Sequence, residues 1–158
     1  MSEYTKHLTP RPELRERIIE TAVKAFAAQG IKSITMDDIA TSLGISKRTL
    51  YEVFPDKETL LEECILRGQK EGDEYLKNVL ATSENVLEVL LKCYQRSIEK
   101  FHATNKKFFE DIKKYPKAYK LMTKRHDQDS EETVNFFKEG VKQGIFRDDV
   151  NLPLSICW

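Results

Sequence analysis

The stretch from Thr35 to Phe54 constrains the fold of this 158-residue chain more than any other part of the sequence. Thr35 is a good helix N-cap, and Asp38 three residues later can complete a capping box. Gly44 follows the last apolar residue of that helix and can take the left-handed conformation that ends it. Ser46 can then cap a second helix only two residues further on. The stretch therefore predicts a helix-turn-helix.

The second helix of this pair has two different faces. Leu50 and Phe54, four residues apart, form its buried edge, while Lys47, Arg48 and Tyr51 share the opposite face. Lys and Arg near the start of such a helix can reach guanine edges in a major groove, and hydroxyl groups can bind phosphates. A buried helical hairpin with incidental charges also explains the apolar edge. It gives no reason for the three polar side chains to lie together, so the pattern favours DNA reading.

A wider set of residues resembles a known family. The run Gly-Ile-Ser-x-x-Thr-x-Tyr-x-x-Phe-x-x-Lys-Glu-x-Leu at 44–60, preceded by segments 26–30 and 35–40, closely resembles the DNA-binding domain of the tetracycline-repressor (TetR) family of bacterial transcription regulators. The resemblance covers roughly residues 11–66, and a weaker one covers 140–150. It implies a homodimer that binds double-stranded DNA at an inverted-repeat operator, acts by default as a repressor and is released by a small-molecule effector.

The expected DNA contacts come partly from the helix pattern and partly from the resemblance. The resemblance alone assigns Thr35 and Lys57 to flanking phosphates, and Arg11 to an N-terminal arm along the DNA. The full predicted set is Arg11, Thr35, Ser46, Lys47, Arg48, Thr49, Tyr51 and Lys57. Up to residue 57 the chain has nine Lys or Arg against eight Asp or Glu, so affinity has to come from placed contacts rather than from a basic total.

Composition limits the other classes of function. Apolar residues at 40%, charged residues at 33% and only six Gly suit a helical protein with a charged surface. The three Cys are far apart, which indicates a reducing compartment, and no apolar run is long enough to span a bilayer, so a cytoplasmic location without a membrane partner is expected. No phosphate loop, nucleophile elbow or metal-ligand spacing occurs. We therefore expect no enzyme, no cofactor and no metal site.

The rest of the chain predicts more helices, which makes the protein all-α. A three-helix helix-turn-helix DNA-binding head is expected at residues 1–56, and a helical regulatory body for ligand sensing and dimerisation at 57–158. The fourth helix should run from Lys57 to about Leu80, with Gly68 and Gly72 marking a close packing contact or a bend. Thr82-Ser83 should open a fifth helix and Thr104 a sixth, while Pro116 should start a seventh that continues to Gly144.

Large side chains are frequent in the predicted body. An apolar effector pocket among the fourth to seventh helices is one explanation, and an ordinary core is an equally good one. The candidate pocket residues are Tyr75, Tyr94, Phe101, Phe108, Phe109, Tyr119, Met122 and Phe137.

The C-terminal segment raises a separate expectation. Members of the resembled family usually follow the turn at 144–150 with two helices that pair in the dimer, but only residues 151–158 remain here. The dimerisation helices are thus expected to be incomplete, and dimerisation of the 158 residues weak. The alternative function is an interaction or adaptor protein that keeps the head without sequence-specific DNA reading.

Overall fold

The structure is a computed structural model that describes residues 11–124 and 131–149. In these residues it contains helices and no strand, which confirms the all-α prediction. The helices are α1 (Arg11–Gln29), α2 (Met36–Leu43), α3 (Lys47–Val53), α4 (Lys57–Thr82), α5 (Val86–Ala103), α6 (Lys106–Asp111), α7 (Pro116–Lys124) and α8 (Glu131–Lys142), with a 3₁₀ turn at Ile112–Lys114.

The first three helices enclose one apolar core. Ile18 and Phe26 of α1 are fully buried, and they share this core with Ile39 of α2 and Leu50 of α3. Each such side chain contributes about 1.5–3 kcal/mol when it is removed from water. Because α1 lies under both α2 and α3, this burial fixes the orientation of the helix-turn-helix.

The same core continues past the third helix. Leu60, Leu61 and Cys64 at the start of α4 are buried in it, and so are Ile112 and Ala118 from later in the chain. A second, smaller core forms where α4 meets α5, around Val79, Val89 and Cys93. The head therefore packs directly against elements that come fifty and more residues later.

Polar contacts tie α6 to the end of α1. The backbone N–H of Asn105 donates to the Ala27 carbonyl at 2.7 Å, and its side-chain amide donates to the Ala28 carbonyl at 3.2 Å. Asp111 accepts from the Lys32 backbone N–H at 2.8 Å. The carbonyls at the end of a helix have no partner within that helix, so α6 supplies what α1 lacks. We call these contacts the α1–α6 joint.

Gly30 lets the two elements of this joint approach each other. Its φ is +86°, and a Cβ added there would lie 2.8 Å from the Lys107 Cβ. Both the left-handed backbone and the short distance require glycine at this position.

Two predicted helix starts are wrong. Asn85, not Thr82 or Ser83, caps α5, accepting from the Glu88 N–H at 3.0 Å. Asn105, not Thr104, caps α6, accepting from the Lys107 N–H at 3.0 Å.

The hydroxyls of Thr82 and Thr104 bond back into α4 and α5, respectively, and do not cap the helices that follow. The Thr82 hydroxyl donates to the Asn78 carbonyl at 2.9 Å, and the Thr104 hydroxyl donates to the Lys100 carbonyl at 2.8 Å. Both bonds run back into the preceding helix, which is a common use of a threonine hydroxyl.

Other expectations for the body have different outcomes. α7 begins at Pro116 as predicted, and Gly144 has a φ of +71° just after α8. The predicted seventh helix corresponds to α7 and α8, and residues 125–130 between them lie outside the described residues, as do the N-terminal arm and residues 150–158. α4 continues through Gly68, where an added Cβ would meet nothing within 4 Å, so a close packing contact there is wrong.

Candidate nucleic-acid interface

The start of α2 is closed by a complete capping box. The Thr35 Oγ1 accepts from the Asp38 N–H at 3.1 Å, and the Asp38 carboxylate accepts from the Thr35 N–H at 2.7 Å and from its hydroxyl at 2.6 Å. These bonds, first of all the one from the Thr35 hydroxyl, lower the pKa of Asp38. Thr35 is thereby held at the exposed N-terminus of α2, where helix N–H groups favour an anion.

The turn between the two helices is set by Gly44. Its φ is +65°, and the N–H of the next residue, Ile45, donates to the Ala40 carbonyl at 3.1 Å. This left-handed turn satisfies carbonyls at the end of α2 and lets α3 begin after two residues. Ser46 caps α3 by accepting from the Thr49 N–H at 3.0 Å, and the two hydroxyls are 2.7 Å apart.

Helix α3 presents the predicted polar face outward. The Arg48 side chain is 89% exposed and Tyr51 is 41% exposed, whereas Leu50 between them is fully buried. Lys47 is also exposed. The structure thus brings Lys47, Arg48 and Tyr51 onto one accessible surface, as their spacing predicts.

Both cations of this surface lie next to a carboxylate that the sequence reasoning missed. Lys47 Nζ is 3.0 Å from an oxygen of Asp37, and the hydrogen bond that Lys47 donates to this carboxylate raises the pKa of Lys47. Arg48 Nε is 3.2 Å from Glu52 on the next turn of α3. The Arg48–Glu52 spacing of four residues on one helix was available as a signal in the sequence. Exposed pairs of this kind are weak and exchange readily for another anion.

The two residues assigned by resemblance alone have contrasting surroundings. Arg11 is the first residue of α1 and is exposed. Lys57, the first residue of α4, is partly buried, and its ammonium donates to the Ile31 carbonyl and lies 5.8 Å from the centre of the Phe26 ring. Burial lowers the pKa of Lys57. Lys57 therefore joins α4 to the α1–α2 loop.

The eight candidate pocket residues lie in different surroundings. Tyr75 lies against the smaller core, and its hydroxyl donates to the Lys92 carbonyl at 3.2 Å. Phe101 is 66% exposed and stacks on Phe109, whose ring is in turn 5.6 Å from that of Phe108. Phe108 and Met122 pack against the main core, and Phe137 contacts Phe136 and Phe146. Tyr94 and Tyr119 are exposed.

A shallow cleft of about 250 Å³ lies elsewhere, between α4 and α7. Its lining residues are Glu62, Lys117, Lys120 and Leu121, none of which was a candidate. The aromatic pocket therefore stays a prediction. Among the described residues, no helix is both long and apolar enough to cross a membrane.

Comparison with known proteins agrees with this geometry. Residues 18–64, which span α1 to the start of α4, match the family of bacterial regulatory proteins called the tetR family. The HTH-type transcriptional repressor KstR2 of Mycolicibacterium smegmatis is 28% identical over 145 residues, covering 89% of this chain and 71% of that protein. IcaR, the negative regulator of the icaADBC biofilm operon in Staphylococcus aureus strain Newman, is 32% identical over 72 residues, covering 46% of this chain and 37% of IcaR.

Solved structures extend the likeness into the body. A transcriptional regulator from Saccharomonospora viridis, solved in complex with choline, superposes with a TM-score of 0.73 at 26% identity and covers 87% of this chain and 75% of its own. Salmonella enterica GusR superposes with a TM-score of 0.70 at 25% identity and covers 91% of this chain and 76% of its own. These similarities, together with the helix-turn-helix head and the helical body that follows it, identify this protein as a DNA-binding transcription regulator of the tetR family.

Proposed function

We propose that this regulator is a repressor in the bacterial cytoplasm that binds an inverted-repeat operator as a homodimer and leaves it when a small molecule binds the body. The observation that carries the proposal is the two-sided α3, with Leu50 buried and Arg48 almost fully exposed beside it. KstR2 and IcaR are both named as negative regulators, which supports repression. No observation favours the adaptor alternative.

In the proposed complex, α3 lies in the major groove. Arg48 and Lys47, on the first turn of α3, reach base edges, and guanine offers Arg two acceptors. The proposed phosphate contacts come from the helix starts and their neighbours: Arg11, Thr35, Ser46, Thr49, Tyr51 and Lys57. Two copies related by a two-fold axis place their recognition helices about 34 Å apart, one turn of DNA.

The acidic neighbours give this surface its selectivity. Asp37 and Glu52 each neutralise a cation while the protein is free. Random DNA then gains little from the surface, since it must displace these carboxylates without base contacts in return. An operator supplies base contacts as well, so the proposed head discriminates sequences despite its balanced charge.

Lys57 has a double role in this proposal. Its hydrogen bond to the Ile31 carbonyl fixes α4 against the loop before α2. A phosphate next to that loop would attract the same ammonium without contact to a base. The proposed division, with a head up to residue 56 and a sensing body from residue 57, is supported by Asp56, which caps the start of α4.

The experiment first identifies the operator by sequencing genomic DNA that the purified protein retains. Binding of operator and scrambled duplexes is then measured at several salt concentrations. Arg48→Ala should cost about 1–3 kcal/mol on operator and relax the preference, because a base contact is lost. Lys57→Ala should weaken both duplexes alike and reduce the salt slope by about one.

Glu52→Gln is the matched control for Arg48→Ala. It breaks the same ion pair but keeps the guanidinium, so operator affinity should stay equal or rise. The docking of α3 is refuted if Arg48→Ala leaves both affinity and preference unchanged. Failure of the protein to retain any preferred sequence would refute the operator proposal itself.

A further inference from the structure

Two neighbouring cations of α5 lack the carboxylate partner that Arg67 of α4 and Lys92 of α5 have. Arg96 and Lys100 are one helical turn apart, and both are partly buried. None of the ion pairs found in residues 11–124 and 131–149 includes either of them. By contrast, Lys92 on the preceding turn is 2.6 Å from Glu88. We call Arg96 and Lys100 the cation pair.

The guanidinium of Arg96 is only partly satisfied. Its Nε is buried and has no hydrogen-bond partner among the described residues. Within the described part of the chain its guanidinium makes one hydrogen bond, from Nη2 to the Glu71 carbonyl, at a long 3.4 Å. The guanidinium carbon lies 4.2 Å from the centre of the Tyr75 ring, so the ring holds it in position by a cation–π contact. A buried donor without a partner is rare in folded proteins and calls for one.

Lys100 is held in an equally unfavourable place. Burial, and then the like charge of Arg96, lower the pKa of Lys100, while Glu71 opposes this. The Glu71 carboxylate, however, is bonded to Arg67 on its own helix at 3.1 Å. Two like charges so placed destabilise the free body, and an anion between them would remove this penalty.

The helix register brings Gly68 of α4 close to the level of the cation pair. The bonds from Tyr75 to the Lys92 carbonyl and from Arg96 to the Glu71 carbonyl show that α4 and α5 run antiparallel. Continuing this register puts Gly68 at the level of Lys100. Gly68 precedes Tyr75 by seven residues, two turns, so it lies on the same face of α4. A Cβ added at Gly68 meets nothing within 4 Å, so no side chain fills this position.

From this geometry we infer that Arg96 and Lys100, backed by Tyr75, bind one anionic group, a carboxylate or a phosphate, of the effector. The inference rests on the proposed sensing function and gives the chemical class of the ligand. A guanidinium can donate to two anion oxygens at once; Arg96 uses Nη2 for the Glu71 carbonyl, its Nε–H is a donor left over, and Lys100 adds another. No ion pair has to be broken for this binding, because neither cation has a carboxylate within ion-pair distance among residues 11–124 and 131–149.

The test measures binding by calorimetry, without DNA, of three probes with the same eight-carbon tail: octanoate, octyl phosphate and octanamide. At least one of the two anions should bind the full chain about tenfold or more tightly than the neutral amide. Which anion binds more tightly distinguishes a carboxylate from a phosphate effector. Equal binding of all three probes, or no binding of either anion, overturns the inference.

Variants then locate the site. Arg96→Gln and Lys100→Gln should each weaken the preferred anion about tenfold or more, while Lys92→Gln, which removes the same charge from the same helix, should change it less than about twofold. Equal losses in all three variants would mean a general charge effect and overturn the assignment. Since no DNA is present, these outcomes are independent of operator binding.

A second measurement covers variants that fold poorly. If the cation pair is a vacant anion site, Lys100→Gln should raise the melting temperature of the free protein, because it relieves repulsion from Arg96, and should abolish the rise that the anion causes in the unsubstituted protein. A lowered melting temperature with an undiminished anion-induced rise would assign Lys100 to packing and overturn the inference.

Discussion

Replacing glycine with alanine at three positions separates the cost of backbone strain from the cost of steric overlap at the α1–α6 joint. Gly44→Ala keeps open space around the new Cβ but forces alanine to a φ of +65°. A left-handed alanine costs about 1–2 kcal/mol. Gly30→Ala has this backbone cost too, and its Cβ also meets the Lys107 Cβ at 2.8 Å and the Asp111 carboxylate at 3.1 Å. Overpacking of this kind adds about 1–3 kcal/mol.

Gly30→Ala should therefore lower the free energy of unfolding by about 2–5 kcal/mol, against about 1–2 for Gly44→Ala. The atom it meets at Lys107 is next to the backbone, so α6 itself has to move and the joint opens. Gly68→Ala is the reference: it lies inside α4 with free space around it, and alanine should stabilise by about 1 kcal/mol.

The assay is urea unfolding followed by circular dichroism at 222 nm, with all variants at one protein concentration. If Gly30→Ala lowers the free energy of unfolding no more than Gly44→Ala does, α6 does not pack closely against Gly30 and the reasoning is refuted. A destabilising Gly68→Ala would show that the space beside α4 is occupied.

Three further predictions concern single groups. The lowered pKa of Asp38 means that its contribution is present above the unfolded-state pKa of about 4 and is lost as the pH falls through the lower folded-state value; Asp38→Asn should flatten this acid limb of pH-dependent unfolding. Asn105→Ala should cost about 1–2 kcal/mol in urea unfolding, because it removes the α6 cap and the bond to the Ala28 carbonyl, and an unchanged midpoint would contradict this. Burial raises the pKa of the Cys64 thiol to about 12, so iodoacetamide at pH 8 should label Cys64 in urea but not in the native protein, and mass analysis of the peptide that contains Cys64 would show this.

Local signals in the sequence predict the head well. The capping box at Thr35, the turn at Gly44 and the exposed Arg48 all follow from residues within four positions of one another, and the structure has each of them. Such short-range patterns carry their own geometry. Asn85 and Asn105 are also good caps by sequence, but each follows a threonine that could cap the same helix. Only the hydrogen bonds of these threonines, which run to the preceding helix, decide between the two residues.

Contacts between distant elements could not be read in this way. Nothing near Lys57 in the sequence indicates that its ammonium turns to the Ile31 carbonyl, because that depends on how α4 crosses α1. The hydrogen bond from the Lys32 N–H to Asp111 could not be predicted either. The unpaired Nε of Arg96 in the cation pair is recognisable only from the packing of α4 against α5. The sequence likewise shows that the body is rich in large aromatic side chains, but it does not show which of them contact one another.

The α1–α6 joint bears on how freely regulators of this architecture can exchange parts. Transplanting a DNA-reading head onto a foreign sensor would leave the last carbonyls of α1 without Asn105, and the Lys32 N–H without Asp111. A productive chimera therefore needs matching residues on the recipient's sixth helix, together with a glycine at the position of Gly30. Over evolutionary time, a head and the small helix beneath it should pass between proteins as a single unit, even though half the chain length separates them in sequence.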